Sequence, residues 1–426
     1  MANPLAAMTS PIYSAYRERT QASAASYAQA CRLMPGGTSR QAAFWAPYPL
    51  TIAHGAGATF ADVDGNSYLD LLNNYTALVH GHAYPPIVEA ARKQIGLGTG
   101  WAAANEPQLG LAQAIVERVP SIEQVRFTNS GSEAGALAFT IARKITGKSK
   151  LLMARYGYHG SLHEFELGSF GNEGPLTYLA TYNDLANFEA VLERHGDEIA
   201  AVFLEPVMGA GGIIAGRKDF LHGVRAAAHN AGALFVLDEV LTLRFGSGGC
   251  QAILGIEPDL TMLGKIIGGG FPVGAVGGKA DLLQVFDPAD LQIFHTGTFN
   301  ANPVTMVAGE ISLRELTPAR IEKMQRLRSE FQSGLGEIAG KHGLPISFSH
   351  HESCLNVFLS ESVPESNVVR EDEQLMDKFH IACLNHGLLI APRGLVALST
   401  VVSDDDIAVA LQRADTAMRD VAAESG

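Results

Sequence analysis

The chain has 426 residues, 47% of them hydrophobic, with 31 Lys and Arg against 44 Asp and Glu, a formal net charge of -13. That length exceeds one ordinary domain, so two structural units sharing a site are expected. The acidic balance argues against a nucleic-acid binder, no apolar run approaches the ~20 residues that span a bilayer, and the four cysteines show no paired spacing for zinc or disulfides. The opening MANPLAAMTSP has no basic flank leading into a long apolar stretch, so a cytoplasmic location is expected.

In chain order, residues 11–33 have helical composition and stop at Pro35-Gly36-Gly37. The irregular TSRQAAFWAPYPL follows, carrying Arg40 among Phe44, Trp45 and Tyr48. A planar guanidinium suits a carboxylate; an exposed loop arginine is the plainer alternative. ATFADV and SYLDLL flank Asp64-Gly65 and predict a hairpin. In NNYTALVHGHAYPP, His80 and His82 invite a metal reading, but the chain offers no matching ligand set, so no metal is expected.

From Pro107 to Lys279 helices alternate with strands near Val125, Leu151, Tyr178, Val202, Phe235, Leu260 and Val276. Such alternation predicts an α/β fold whose mostly parallel central sheet is packed on both faces. Three stations along it carry chemistry. At Val125–Ala134 a strand breaks into Ser130-Gly131-Ser132 and a helix; free N–H groups, hydroxyls and the helix dipole make a phosphate seat, although many strand-to-helix turns favour Ser and Gly. In LFVLDEV an apolar strand ends at Asp238, a carboxylate able to keep a pyridine nitrogen protonated, or merely to cap a helix. In DLTMLGKIIGGG, Lys265 ends a strand just before Gly268, Gly269 and Gly270.

An amine withdrawn from water loses its proton more easily, and the neutral amine condenses with an aldehyde to a Schiff base. Alone, such a lysine more often snorkels out of a strand end. With a phosphate seat and a pyridinium partner, each at the C-terminal end of a predicted strand, it points to pyridoxal 5'-phosphate. Downstream, HTGTFNANP is too rich in turn formers for a helix, and Pro303 opens an apolar one. Beyond Leu316 come a charged helix, strands near Ile346 and Leu355, a polar stretch from Ser360 to Glu373, a helix to His386, strands near Leu389 and Val396, and a last helix with Ser403 as its cap. They predict a smaller α+β unit.

SGSEA, the YHG at Tyr158, the EP at Glu205, DEV, GKIIGGGFPVGAVGG and HTGTFNANP resemble the class III pyridoxal-phosphate aminotransferases. The nearest branches are the glutamate-1-semialdehyde aminomutases and the β-amino acid (β-phenylalanine) aminotransferases, and the likeness runs from Met34 to about Asp406. It implies a fold type I PLP-transferase with an N-terminal segment (1–60), a large cofactor domain (61–315) and a small α+β domain (316–426). Lys265 would hold the cofactor and move a proton, with Asp238 on the pyridine nitrogen. Ser130, Gly131 and Ser132 would seat the phosphate, and Thr298 would reach the phosphate of the neighbouring subunit in a homodimer. Tyr158 would cover one ring face and Val240 the other, with Glu205 beside the ring and no proton-transfer role. Arg40 and Arg393 would grip carboxylates of an amino donor and a 2-oxo acid acceptor, 2-oxoglutarate or pyruvate, with Tyr75 as a pocket wall. His159 and His163 are read as structural or lining.

The aminomutase alternative expects a longer lid than Ser161–Thr181, and the Arg40 segment is closer to the β-amino branch. Arg244, in DEVLTLRF, departs from the FR ending common in class III and argues against an ordinary ω-aminotransferase. A nicotinamide dehydrogenase lacks its G-x-G-x-x-G opening a helix. Intact Lys265 and Asp238 argue against a catalytically silent binder.

Overall fold

A computed structural model describes residues 9–366 and 373–424. Its central sheet has seven strands, in spatial order Gln124–Thr128, Gly274–Gly278, Leu260–Gly264, Leu234–Asp238, Ile199–Leu204, Lys150–Ala154 and Thr177–Ala180. Every strand but Gly274–Gly278 runs the same way. That strand reverses because only a short turn, not a crossover helix, separates it from Leu260–Gly264.

Alternate residues bury the two faces of this sheet. Met153, Ala201, Phe203, Val236 and Met262 pack with the helix Gly131–Thr146 on one side. Leu152, Val202, Leu204, Phe235 and Leu237 pack with the helix Lys218–Asn230 on the other. All six residues of Ile199–Leu204 are buried, which explains why the strand reads as an unbroken apolar run. The C-terminal strand ends deliver Ser130, Tyr158, Glu205, Asp238 and Lys265 to one edge.

The N-terminal region forms two helices, Pro11–Arg19 and Gln21–Leu33, with Thr20 between them leaving helical geometry at φ -128°, ψ 40°. A distant contact sets the break. Asp64, in the hairpin turn, accepts hydrogen bonds from the amides of Ala22 and Ser23 at 2.6 and 3.0 Å and so caps a fresh helix start. The strands Ile52–Ala56, Thr59–Asp62 and Ser67–Asp70 are antiparallel, and Leu388–Leu389 joins the last of them in parallel. The hairpin thus hydrogen-bonds to the C-terminal unit.

That unit packs the helix Pro318–His342 with a three-stranded antiparallel sheet, Ser347–His351, Cys354–Phe358 and Leu395–Ala397. The helices Glu373–Asn385 and Asp404–Ala423 complete it, the latter capped by reciprocal bonds between Ser403 and Asp406. Asn385 donates to the Ile12 carbonyl at 2.9 Å, tying the first helix to this unit. Part of the polar stretch expected from Ser360 to Glu373 lies outside the described residues.

Candidate active site

The wholly buried strand Leu260–Gly264 leads into Lys265, which opens a tight turn with φ 49°. Left-handed backbone costs a non-glycine residue about 1–2 kcal/mol and persists only where the surroundings enforce it. The surroundings here are backbone on backbone. A Cβ added to Gly269 would lie 2.5 Å from the Ala308 carbonyl oxygen, and one on Gly309 would lie 1.9 Å from that of Ile267, so the helix Pro303–Glu315 rests directly on the lysine turn. Burial pushes the Lys265 amine pKa down and Arg244 pushes the same way, against Asp238, Glu205 and Cys354.

Asp238 ends its strand almost fully buried. One oxygen accepts from the Val240 amide at 2.9 Å and the other lies 2.9 Å from His159 Nδ1. An ionised carboxylate only accepts, so Nδ1 carries the proton of that bond. The imidazole packs edge-on against Phe165 and tilted against Phe203. His159, expected to be structural or lining, is buried and bonds the Asp238 carboxylate. A signal for it was present in its place beside Tyr158 at a strand end, but not its partner, 79 residues away. The adjacent Glu239 turns elsewhere, accepting from the amides of Cys250 and Gln251.

Glu205 accepts from the Tyr158 amide at 2.9 Å and the Gly209 amide at 2.8 Å. Burial drives its pKa up to about 7; Asp238 adds to the rise, while His159 and the two amides oppose it. Tyr158 is 44% exposed, its hydroxyl 3.1 Å from Ser161 Oγ.

At the start of the helix Gly131–Thr146, Ser130 Oγ accepts from the Glu133 amide at 3.1 Å, so this hydroxyl serves first as a helix cap. Its O–H remains able to donate. The amides of Gly131 and Ser132 lie in the first turn, where an α-helix supplies no internal acceptor. Ser132 Oγ accepts from the Ser161 amide at 3.1 Å. A Cβ on Gly131 would sit 3.3 Å from the Val240 methyls, placing Val240 beside the cradle. Thr298 is exposed at the start of a turn that Asn300 ties to Asn129 by a 2.8 Å bond.

Arg40, Tyr75 and Arg393 come together from three distant segments. The Arg40 guanidinium lies 5.8 Å from the Tyr75 ring centre and donates to Asn74 Oδ1 at 2.7 Å. Burial raises the Tyr75 phenol pKa, while the charges of Arg393 and Arg40 both pull it down. Tyr75 also donates to the Ala42 carbonyl. The histidines nearby are engaged: His80 bonds Thr400 Oγ1 and the Ser312 carbonyl, and His82 bonds Asp70.

The amine of suppressed basicity, the buried carboxylate and the open helix start occupy one edge of an α/β sheet, an arrangement that fits an aldehyde cofactor with an aromatic nitrogen and an anionic tail. The chain belongs to the class III aminotransferases, whose family model matches residues 42–418, and enzymes of this class use pyridoxal phosphate. It is 40% identical over 409 residues to the β-phenylalanine transaminase of Variovorax paradoxus, covering 94% of each chain. Identity to a glutamate-1-semialdehyde 2,1-aminomutase of Geobacillus kaustophilus is 35% over 413 residues, 91% of this chain and 96% of the relative. The crystal structure of an ω-transaminase from Sphaerobacter thermophilus superposes with a TM-score of 0.91 at 37% identity, covering 95% of this chain and 99% of that one.

Proposed function

We propose that this aminotransferase takes its amino group from a carboxylate-bearing amine, a β-amino acid, and passes it to a 2-oxo acid such as 2-oxoglutarate or pyruvate. The observation that carries this reading is the pair of guanidiniums, Arg40 and Arg393, acting on the one phenol of Tyr75. Similarity to a β-phenylalanine transaminase supports it. Two cations on one wall suit substrates that present a carboxylate in each half of the reaction.

Bound pyridoxal phosphate supplies an electron sink for the carbon bearing the amine. In this reading Lys265 holds the cofactor through Nζ and, once displaced, moves the proton at that carbon; lowered basicity keeps its amine neutral enough to do so. Asp238, held by His159 and the Val240 amide, keeps the proton on the ring nitrogen. Ser130, Gly131 and Ser132 receive the phosphate, Tyr158 and Val240 bracket the ring, and Glu205 fixes the Tyr158 loop through its amide.

We read the molecule as a cytoplasmic homodimer in which Thr298 completes the partner's phosphate seat. Exposed Leu291, Phe294 and Phe299, in and around the Thr298 turn, support burial of that segment against a second copy. In this reading the units are 1–60, 61–315 and 316–426, with the hairpin Thr59–Asp70 associating with the last of them.

A donor panel with 2-oxoglutarate, spanning β-phenylalanine, other β-amino acids, simple amines and glutamate-1-semialdehyde, tests the assignment. β-Amino acids are expected to react best. Preference for simple amines would overturn the role of Arg40, and 5-aminolevulinate formed without an acceptor would establish the aminomutase instead.

A further inference from the structure

Arg244 is 0% exposed, yet the described residues give its guanidinium no carboxylate partner. Its donors go to neutral acceptors: Nε to Ser353 Oγ at 3.3 Å, Nη1 to the Thr76 carbonyl at 3.2 Å, and Nη2 to the Leu398 carbonyl and to Met324 Sδ. A cation without a counter-charge is costly to bury, and burial lowers the Arg244 pKa. A role for the planar fork is therefore implied.

The acceptors show what it holds. Thr76 closes a run of four left-handed residues, Asn73 (φ 51°), Asn74 (50°), Tyr75 (53°) and Thr76 (76°), none of them glycine. Such a run needs external restraint. One side is fixed by Asn73, whose side-chain Nδ2 donates to the Ala397 carbonyl at 2.8 Å, and by Asp70, which accepts from the backbone amides of Leu72 and Asn73. Arg244 fixes the other, bridging Thr76 to Leu398 in the small unit. The same turn presents Asn74 to the Arg40 guanidinium and Tyr75 beneath it.

We propose that Arg244 is a positioning residue for donor recognition: by clamping the left-handed turn 73–76 it sets where Asn74 and Tyr75 hold Arg40, and so the enzyme's preference for carboxylate-bearing donors. This rests on the reading of Arg40 as the carboxylate grip. Arg244 touches no substrate itself. A lysine offers one ammonium in place of the fork and cannot span the Thr76 and Leu398 carbonyls in the same planar geometry.

The test measures binding by the loaded enzyme of 3-phenylpropanoate and of its neutral amide by calorimetry, in wild type, Arg40→Ala, Arg244→Lys and the double variant. Wild type is expected to prefer the carboxylate by about tenfold or more, the scale of a charge-assisted contact. Arg244→Lys should lose most of that preference, and should change it no further once Arg40→Ala is present, the signature of residues acting through one another. If Arg40→Ala abolishes the preference while Arg244→Lys retains it, the positioning role is overturned and the donor reading stands. If Arg40→Ala retains the preference, the donor reading falls and the clamp with it. Should Arg244→Lys fail to fold, Asn74→Gly serves in its place: it is exposed, tolerates φ 50° and removes the amide oxygen Arg40 donates to. An unchanged preference in Asn74→Gly would then overturn the proposal.

Discussion

Two regions of this molecule are built on opposite terms. Around Asp238 the groups are buried and cross-braced, with each carboxylate oxygen held at 2.9 Å by a residue in the loops beyond the strand ends. Around Arg40 the charged side chains are exposed, and its guanidinium is anchored to Asn74 in a left-handed turn. The difference separates reaction from recognition. In the proposed reading the reacting groups sit just past the strand ends of the core sheet, whereas the carboxylate grip of Arg40 sits on an exposed loop.

Breaking the buried region should cost most. Lys265→Ala is expected to lower turnover by about 10⁴-fold or more, since in the proposed reading it removes both the covalent hold and the proton carrier; single-turnover measurements with excess donor check this. Asp238→Asn should cost on the order of 10–10³-fold in kcat, the equivalent of the 1–3 pKa units an opposing charge imposes on the ring nitrogen. The cofactor's absorbance should then lose its protonated-ring signature.

The recognition region should give smaller and more selective losses. Arg40→Ala is expected to raise KM for β-amino acids by about 10–100-fold, the value of a hydrogen bond to a charged group, with a lesser effect on kcat. Steady-state kinetics on β-phenylalanine separate the two. An equal fall of kcat and kcat/KM would instead make Arg40 part of the reacting assembly.

An effect on stability, with no change in the chemistry, sharpens the comparison from the other side. Glu205 has a folded-state pKa near 7, above the ordinary carboxylate value of 4.5. Between those values the folded protein binds more protons than the unfolded one, so the stability of the cofactor-free protein should fall as pH rises from 4.5 to 7. Glu205→Gln should remove that share of the slope, on the order of 3 kcal/mol across the window, read from denaturant melts at pH 5 and pH 7.5. Parallel slopes in the two proteins would show that Glu205 is not the group responsible.

The extent to which each region was legible in the sequence follows the same division. Lys265 and Asp238 each sit at the end of an apolar strand and the Ser130 turn just past the shorter, mixed strand QVRFT, and strands announce themselves locally through runs such as AAVFL and LFVLD. What sequence did not reveal depends on contacts between distant segments. His159 meets Asp238 from 79 residues away, Asp64 caps the helix at Gln21 from the hairpin turn, and Arg244 reaches Thr76 across 168 residues. The reversed strand Gly274–Gly278 was likewise hidden, because Lys265 to Val273 carries the composition of a glycine loop whether the chain continues or turns back. The left-handed run had no glycine to mark it, and only two asparagines hint at it.

The proposed chemistry turns on the identity of one nitrogen. Reduction of the purified enzyme with borohydride, followed by proteolysis and mass spectrometry, should place a single pyridoxyl-phosphate adduct on the peptide containing Lys265. An adduct on another lysine, or none on protein that carries the cofactor's visible colour, would contradict it.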